Sequence, residues 1–197
     1  VNYPRRVIKL GGSLLDWPEL PAAFSRWLER QTPAQNIVIV GGGKIVDALR
    51  ELDRVGSLGE EAAHWLAIEG MSLTAALAVE LLEGATLVRD IGDLKCADGA
   101  GVHILDIVDF MRKDAESEDS LPCTWSVTSD SIAARVAQRI EAFELVLLKS
   151  ASPARGSTRK ELADTGYLDA YFPQASLRLP LRAVNLRNSD DPEATIG

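Results

Sequence analysis

Lys9 stands directly before a glycine pair in Lys9-Leu10-Gly11-Gly12-Ser13, and that spacing suits the handling of phosphate. An ammonium at a strand end can offset the charge that builds up as a phosphoryl group passes between two oxygens. Glycines beside it let backbone N–H groups approach an anion, and a following helix N-terminus favours negative charge. The plain alternative for Lys9 is a strand-end lysine reaching solvent; the glycines that follow it favour the phosphate reading. A second glycine run, Gly41-Gly42-Gly43-Lys44, repeats the arrangement thirty residues later. It lacks the last glycine of the G-x-G-x-x-G dinucleotide fingerprint, and the Walker pattern is absent as well. A nicotinamide site also needs an acidic ribose partner, and Glu60 and Glu61, near the right distance, fall inside a helical pattern.

Thr128-Ser129-Asp130 leads into another helical run. Asp130 there is either a helix cap or the carboxylate that holds Lys9 in line, with Thr128 and Ser129 offering hydroxyls to a phosphate. Lys149, closing the apolar run Leu145-Val146-Leu147-Leu148, is either a second phosphate-binding cation or a solvated strand end. His64 and His103 have no partner at metal-ligand spacing and read as structural, and no metal set is expected. The tryptophans are core candidates, although Trp125 could wall a flat substrate.

These groups need strands that end together. Val7-Ile8-Lys9-Leu10 and Ile37-Val38-Ile39-Val40 have the unbroken apolar character of parallel strands covered on both faces. Between them Pro18 opens a helix carrying Leu20, Ala23, Phe24, Trp27 and Leu28. A second helix runs from 44 to about 55, with Ile45, Leu49 and Leu52 on one face. A long amphipathic helix over 60–82 turns Ala63, Leu66, Ala67, Met71, Ala78 and Leu81 inward. Strands follow at 85–88 and 102–105, then a short helix capped by Asp106 and reaching Met111. Residues 112–120 read as an exposed loop whose acidic run from Asp114 to Asp119 is solvated. A helix with Ile132, Ala133, Val136, Ala137 and Ile140 precedes the 145–148 strand. A helical stretch at 160–164, a final strand at 181–185 and a helix-start signal at Asp190-Asp191-Pro192 complete the pattern. Strand–helix alternation predicts an α/β fold, a three-layer αβα sandwich on a mostly parallel open sheet, in one domain over 1–197.

Composition sets limits. A net charge of −8 argues against a general nucleic-acid or anionic-membrane binder. Cys96 and Cys123 share no metal-ligand spacing, which fits a reducing cytoplasmic setting. The N-terminal apolar run is too short for a signal peptide, and no continuous apolar stretch approaches the roughly 20 residues of a membrane span.

Taken together and in order, Lys9-Leu10-Gly11-Gly12-Ser13, Gly41-Gly42-Gly43 and Thr128-Ser129-Asp130-Ser131-Ile132-Ala133-Ala134 resemble the three signatures of the amino acid kinase superfamily. The resemblance implies a carbamate kinase-like fold, Mg2+ and ATP, and direct in-line transfer to a small-molecule acceptor without a covalent intermediate. It implies that Lys9 bridges the transferring phosphates, that Asp130 organises Lys9, and that Gly11, Gly12, Gly42 and Gly43 supply backbone donors. Gly11, Gly12, Ser13, Lys149 and Ser150 would then lie on the nucleotide side, and Gly41, Gly42, Gly43, Thr128 and Ser129 on the acceptor side. A homo-oligomer, dimer or larger, is implied too, with the 60–82 helix as its contact.

Within the superfamily the sequence resembles the archaeal kinases of methanofuran biosynthesis, whose acceptor is aminomethylfuranmethanol phosphate. That likeness rests on Ser57-Leu58 through His64-Trp65-Leu66-Ala67-Ile68, on Trp125 to Ser131, and on Ala183-Val184-Asn185. Lys149-Ser150-Ala151-Ser152-Pro153 departs from the family's acidic Thr-Asp-Val-Asp-Gly loop, leaving Lys149 to replace a phosphate contact. Two alternatives stay open: an amino-acid or carboxylate kinase, and a catalytically weakened kinase-fold binding subunit.

Overall fold

The computed structural model describes residues 3–95, 99–177, 179–188 and 193–196. Its frame is a seven-stranded sheet. In chain order the strands are β1 (Arg5–Leu10), β2 (Gln35–Val40), β3 (Ala85–Val88), β4 (Val102–Leu105), β5 (Glu144–Lys149), β6 (Leu181–Asn185) and β7 (Glu193–Thr195). Across the sheet the order is β3-β4-β2-β1-β5-β6-β7. The first six run parallel, and β7 adds an antiparallel edge beyond the strand expected to be last. The signal at Asp190-Asp191-Pro192 lies outside the described residues, as does Cys96.

The two central strands are apolar because neither face meets water. Val7, Ile8 and Leu10 of β1 and Ile37, Val38 and Ile39 of β2 are wholly buried, and side-chain alternation sends them into two separate cores. One face packs Val7, Ile37, Ile39, Leu145 and Leu147 against helices α3 (Glu60–Leu81), α4 (Val108–Ala115) and α5 (Ser129–Arg139). The other packs Ile8, Leu10, Val38, Val146 and Leu148 against Phe24 and Trp27 of α1 (Leu20–Glu29) and the C-terminal half of α3. α2 (Gly43–Gly56), α6 (Arg159–Asp164) and α7 (Phe172–Ala175) complete the helices. The layers are helices, sheet, helices.

Several local expectations change. α1 opens at Leu20 with Pro21 in its first turn, and Pro18 lies in the turn before it. On α2 the buried residue is Val46, whereas Ile45 and Leu52 are exposed. Leu66 of α3 faces outward, and Ile68 and Ala75 take inward positions. α3 has the length and composition of a membrane span although its apolar residues are not continuous; half of that window is buried inside the fold, as befits a core helix. Residues 112–115 are helical, and Asp114 is buried. Its carboxylate accepts from Arg135 Nε at 2.7 Å and from the Leu121 amide at 3.0 Å. Asp114 and Asp119 thus belong to an ion-pair network with Arg135 and Arg139 that ties the end of α4 to α5, whereas Glu116, Glu118 and Asp119 are exposed as expected of the acidic run.

Candidate active site

β1 and β5 are neighbours in register, with Lys9 opposite Leu147, so Lys149 stands one alternation further along. Both lysines follow the parity of Val7, Leu145 and Leu147 and so point to the face that α5 covers. Asp130, in the first turn of α5, meets them there. Its Oδ1 lies 2.8 Å from Lys9 Nζ and its Oδ2 2.7 Å from Lys149 Nζ. Lys9 and Asp130 are buried, at 7% and 6% exposure, and Lys149 is half-buried, at 15%. Lys149 donates an aligned hydrogen bond, whereas Lys9 faces Oδ1 as an ion pair off the hydrogen-bonding direction.

Burial opposes the charge on Asp130, but the Lys9 and Lys149 ammoniums outweigh it and bring the carboxyl down to about 2. Burial, with the Lys9 charge behind it, brings Lys149 down to about 8 against the pull of Asp130. Two cations thus share one carboxylate at the ends of the central strands, and the Asp169 charge also acts on Lys149.

The segment between α6 and α7 supports this cluster, and nothing in its local sequence announces it. The Tyr167 carbonyl accepts a hydrogen bond from Lys149, and the Tyr167 ring lies 4.8 Å from Nζ. Asp169 caps α5 from outside: its carboxylate accepts from the Thr128 amide (3.1 Å), the Thr128 hydroxyl (2.9 Å), the Ser131 amide (2.9 Å) and the Ser131 hydroxyl. Burial and the Asp130 charge push its carboxyl up. Asp130 is therefore not the helix cap, and the Thr128 hydroxyl expected to reach a phosphate is committed to Asp169. Thr128 and Ser129 both line the cavity, and Ser129 is the one whose hydroxyl is not committed to Asp169.

The two glycine turns interlock. A Cβ on Gly12 would lie 2.2 Å from the Gly43 amide nitrogen, one on Gly42 would collide with Val46, and Gly43 has φ +49°. Glycine is required at these points by the close approach of backbone to backbone. Two expected donors are engaged elsewhere: the Gly11 amide donates to Leu148 O and the Gly41 amide to Leu10 O, both at 2.8 Å. The amides of Gly12, Gly42 and Gly43 lie in the first turns of the 3-10 helix Gly12–Leu14 and of α2, where no intrahelical acceptor exists. Ser13 and Ser150 meet hydroxyl to hydroxyl at 3.0 Å across the β1 and β5 turns.

Beside the cluster lies a cavity of about 210 Å³ whose wall includes Gly12, Gly42, Ser129, Met71, His64 and Trp125. The Trp125 indole is held in place: Nε1 donates to Asp53 at 2.9 Å, and the Arg50 guanidinium lies 4.9 Å from the ring centre. Lys9, Lys149 and Asp130 stand outside this wall, with Ser129 as the sequence neighbour that joins it. All twelve residues singled out in the sequence thus gather at one end of the sheet. Among the described residues no group of three or more His, Cys, Asp or Glu could hold a metal.

A mostly parallel αβα sheet thus ends its central strands in interlocked glycine turns beside two ammoniums on one carboxylate. Residues 4–152 match the amino acid kinase family, and the chain belongs to it. A curated relative, [5-(aminomethyl)furan-3-yl]methyl phosphate kinase of Methanocaldococcus jannaschii, is 26% identical over 144 residues, which are 72% of this chain and 63% of the relative. The chain thus spans less than two thirds of that protein's length. Among solved structures, uridylate kinase of Archaeoglobus fulgidus superposes with a TM-score of 0.60 at 17% identity, covering 98% of this chain and 90% of the other. UMP kinase of Bacillus anthracis gives 0.63 at 12% identity over the full length of both. Aspartate kinase of Synechocystis gives 0.65 at 16% identity, over 98% of this chain and 40% of that one. These likenesses establish the fold.

Proposed function

We propose that the chain is a kinase that uses Mg-ATP to phosphorylate a small phosphate monoester, of the aminomethylfuranmethanol phosphate type named for its M. jannaschii relative, in the making of a one-carbon carrier. The observation that carries this reading is the pair of largely buried ammoniums on Asp130 at adjacent strand ends. Two cations on one carboxylate retain attraction for a polyanion, and the bare amides of Gly12, Gly42 and Gly43 add oriented donors to it. Mg2+ would come with the nucleotide phosphates. Bound ATP would supply the phosphoryl group. Lys9, held by Asp130, would sit between donor and acceptor oxygens, and Lys149 would take the phosphate contact that an acidic loop cannot make. Ser129 and the glycine turns would orient the acceptor's phosphate, with Arg50 as a cation in the same wall and Trp125 as a flat surface for the acceptor's ring.

A homo-oligomer is part of the same reading, supported by Leu66, Leu73 and Leu77, which lie exposed along α3. The catalytically weakened subunit is the second reading, favoured by Lys149-Ser150-Ala151-Ser152-Pro153 where the family has acidic residues. Radiolabelled ATP offered with small phosphates, amines and carboxylates separates the two: label transfer that Lys9→Ala abolishes supports the kinase. Transfer to no acceptor, or transfer that survives Lys9→Ala, refutes it.

A further inference from the structure

Asp169 does more than the capping of α5 requires. α6 shows how this chain caps a helix from within: the Thr158 hydroxyl accepts from the Glu161 amide, and the Glu161 carboxylate accepts from the Thr158 amide. α5 also has a threonine at its N-cap, yet the Thr128 hydroxyl makes no such bond to its own helix. It donates outward to Asp169, and the same carboxylate takes the Ser131 amide that an N-cap threonine ordinarily serves. This arrangement has an electrostatic cost, since burial, and the Asp130 charge after it, both oppose ionisation of Asp169. A cap made within the helix would have avoided it.

The grip falls on both sides of Asp130. Oδ2 of Asp169 accepts from the Thr128 amide at 3.1 Å and from the Ser131 amide at 2.9 Å, while Oδ1 accepts from the Ser131 hydroxyl. One carboxylate thus fixes the start and the end of the turn that carries Asp130. Asp169 is itself fixed: Leu168 before it and Phe172 after it are buried in the core, and the Tyr171 amide donates to the Ser126 carbonyl at 3.2 Å. In the same segment the Tyr167 carbonyl accepts from Lys149. Residues 167–172 therefore hold Asp130 through its helix turn and Lys149 directly.

We infer that Asp169 is a positioning residue for phosphoryl transfer: by gripping the turn on both sides of Asp130, it sets the carboxylate that aligns Lys9 and Lys149 with the reacting phosphates. The inference rests on the kinase site proposed above. A misplacement of about 1 Å at a reacting group costs on the order of a hundredfold in rate, so the grip matters to turnover beyond its worth as a cap. Asp169→Asn separates grip from charge. Its amide oxygen can replace Oδ2 toward both backbone amides and the Thr128 hydroxyl, and its NH2 can donate to the Ser131 hydroxyl. Asp169→Ala removes grip and charge together. Gln138→Ala removes a different tie between α5 and α7, the bond from Nε2 to the Ala175 carbonyl, and so controls for packing alone.

Steady-state rates are measured with Mg-ATP and aminomethylfuranmethanol phosphate, on the acid side of the Lys149 titration, with circular dichroism reporting each fold. The kcat of Asp169→Ala should fall by about ten- to a hundredfold, that of Asp169→Asn should be mostly retained, and that of Gln138→Ala should be unchanged. KM for Mg-ATP should not rise in Asp169→Asn, because losing a negative charge does not weaken attraction for a polyanion. Lys149 is faced by Lys9 from β1, by Asp130 from α5, and by Tyr167 and Asp169 from the segment after α6. Burial and Lys9 disfavour its ammonium, and Asp130 and then Asp169 favour it, so the basic limb of the rate should begin at lower pH in Asp169→Asn. Lysine Cε resonances, read by NMR and assigned with Lys149→Met, follow the cluster without turnover. Those of Lys9 and Lys149 should both move in Asp169→Ala. Wild-type kcat in Asp169→Ala, an equal loss in Asp169→Asn or Gln138→Ala, or lysine resonances indifferent to Asp169→Ala overturns the inference. Should Asp169→Ala fail to fold, Ser131→Ala, which removes one bond of the grip, takes its place: a smaller loss of kcat is expected, and an unchanged kcat overturns the inference. Transfer to no acceptor by the wild-type protein would remove the kinase reading, and the lysine resonances would then decide alone whether Asp169 holds the cluster.

Discussion

Two largely buried clusters, at opposite ends of the same part of the sheet, each set two cations on one carboxylate. At one end Arg6 and Arg182 share Glu144, with Nε–Oε distances of 2.6 and 2.9 Å. At the other Lys9 and Lys149 share Asp130. The charge count is identical and the remaining capacity is not. Arg6, 1% exposed, also donates to Asn36 Oδ1 and to both the carbonyl and the hydroxyl of Thr32. Its planar fork is filled by the fold, and a guanidinium stays charged at any working pH. The lysines are compact donors with fewer protein acceptors, and the charge on Lys149 is movable. On the proposed reading, the donors left over, not the burial of charge, distinguish the lysine cluster as a ligand site from the structural ion pair of Arg6.

The largest effect that sharpens this contrast is on turnover. Lys9→Ala should cut phosphoryl transfer by at least about 10²–10³-fold, the scale for removing one transition-state donor, while circular dichroism stays native. Arg6→Met should do the reverse, destabilising by about 3 kcal/mol because a buried pair loses a partner, with turnover per folded molecule near wild type. Urea unfolding and steady-state assays on the two variants read both quantities, and equal damage to activity would erase the distinction.

Titration provides a smaller effect. Lys149 is cationic below about pH 8, so the rate should fall above that pH, by up to about tenfold per unit if the ammonium is essential; a flat profile to pH 10 would deny it that role. Stability moves the opposite way. A lysine depressed from 10.5 to about 8 costs stability while charged, and the protein gains stability as pH rises between those values. The contribution of Asp130 is present above its ordinary value of 3.8 and is lost as pH falls toward about 2. Urea midpoints across pH, compared with Lys149→Met, isolate the basic limb. The smallest effect expected is that of Asp169→Ala, about 1–2 kcal/mol for a lost helix cap; an unchanged melting temperature would show that the cap is dispensable.

The sheet was legible because its central strands are buried on both faces and read as unbroken apolar runs ending in glycine. Lys9, Asp130 and Lys149 were legible because each stands at the end of such a run or at a helix start. Asp169 and Tyr167 were not, since their partners are separated from them in sequence by 38 residues or more for the one and 18 for the other. The commitment of the Gly11 and Gly41 amides to the strands also required the turns to be seen in place, and so did the burial of Asp114, whose partner Arg135 is two turns into α5. Leu66 was misplaced because α3 is apolar nearly all round, which weakens any inference about its inward face.

The contrast between the clusters can be tested directly by titrating a non-hydrolysable Mg-ATP analogue into three proteins. The wild type and Arg6→Met should bind alike, with an affinity in the micromolar-to-millimolar range, about −8 to −4 kcal/mol, and Lys149→Met should bind at least about tenfold more weakly. Equal affinity in all three, or no binding by the wild type, would contradict the assignment of the lysine cluster as the phosphate site.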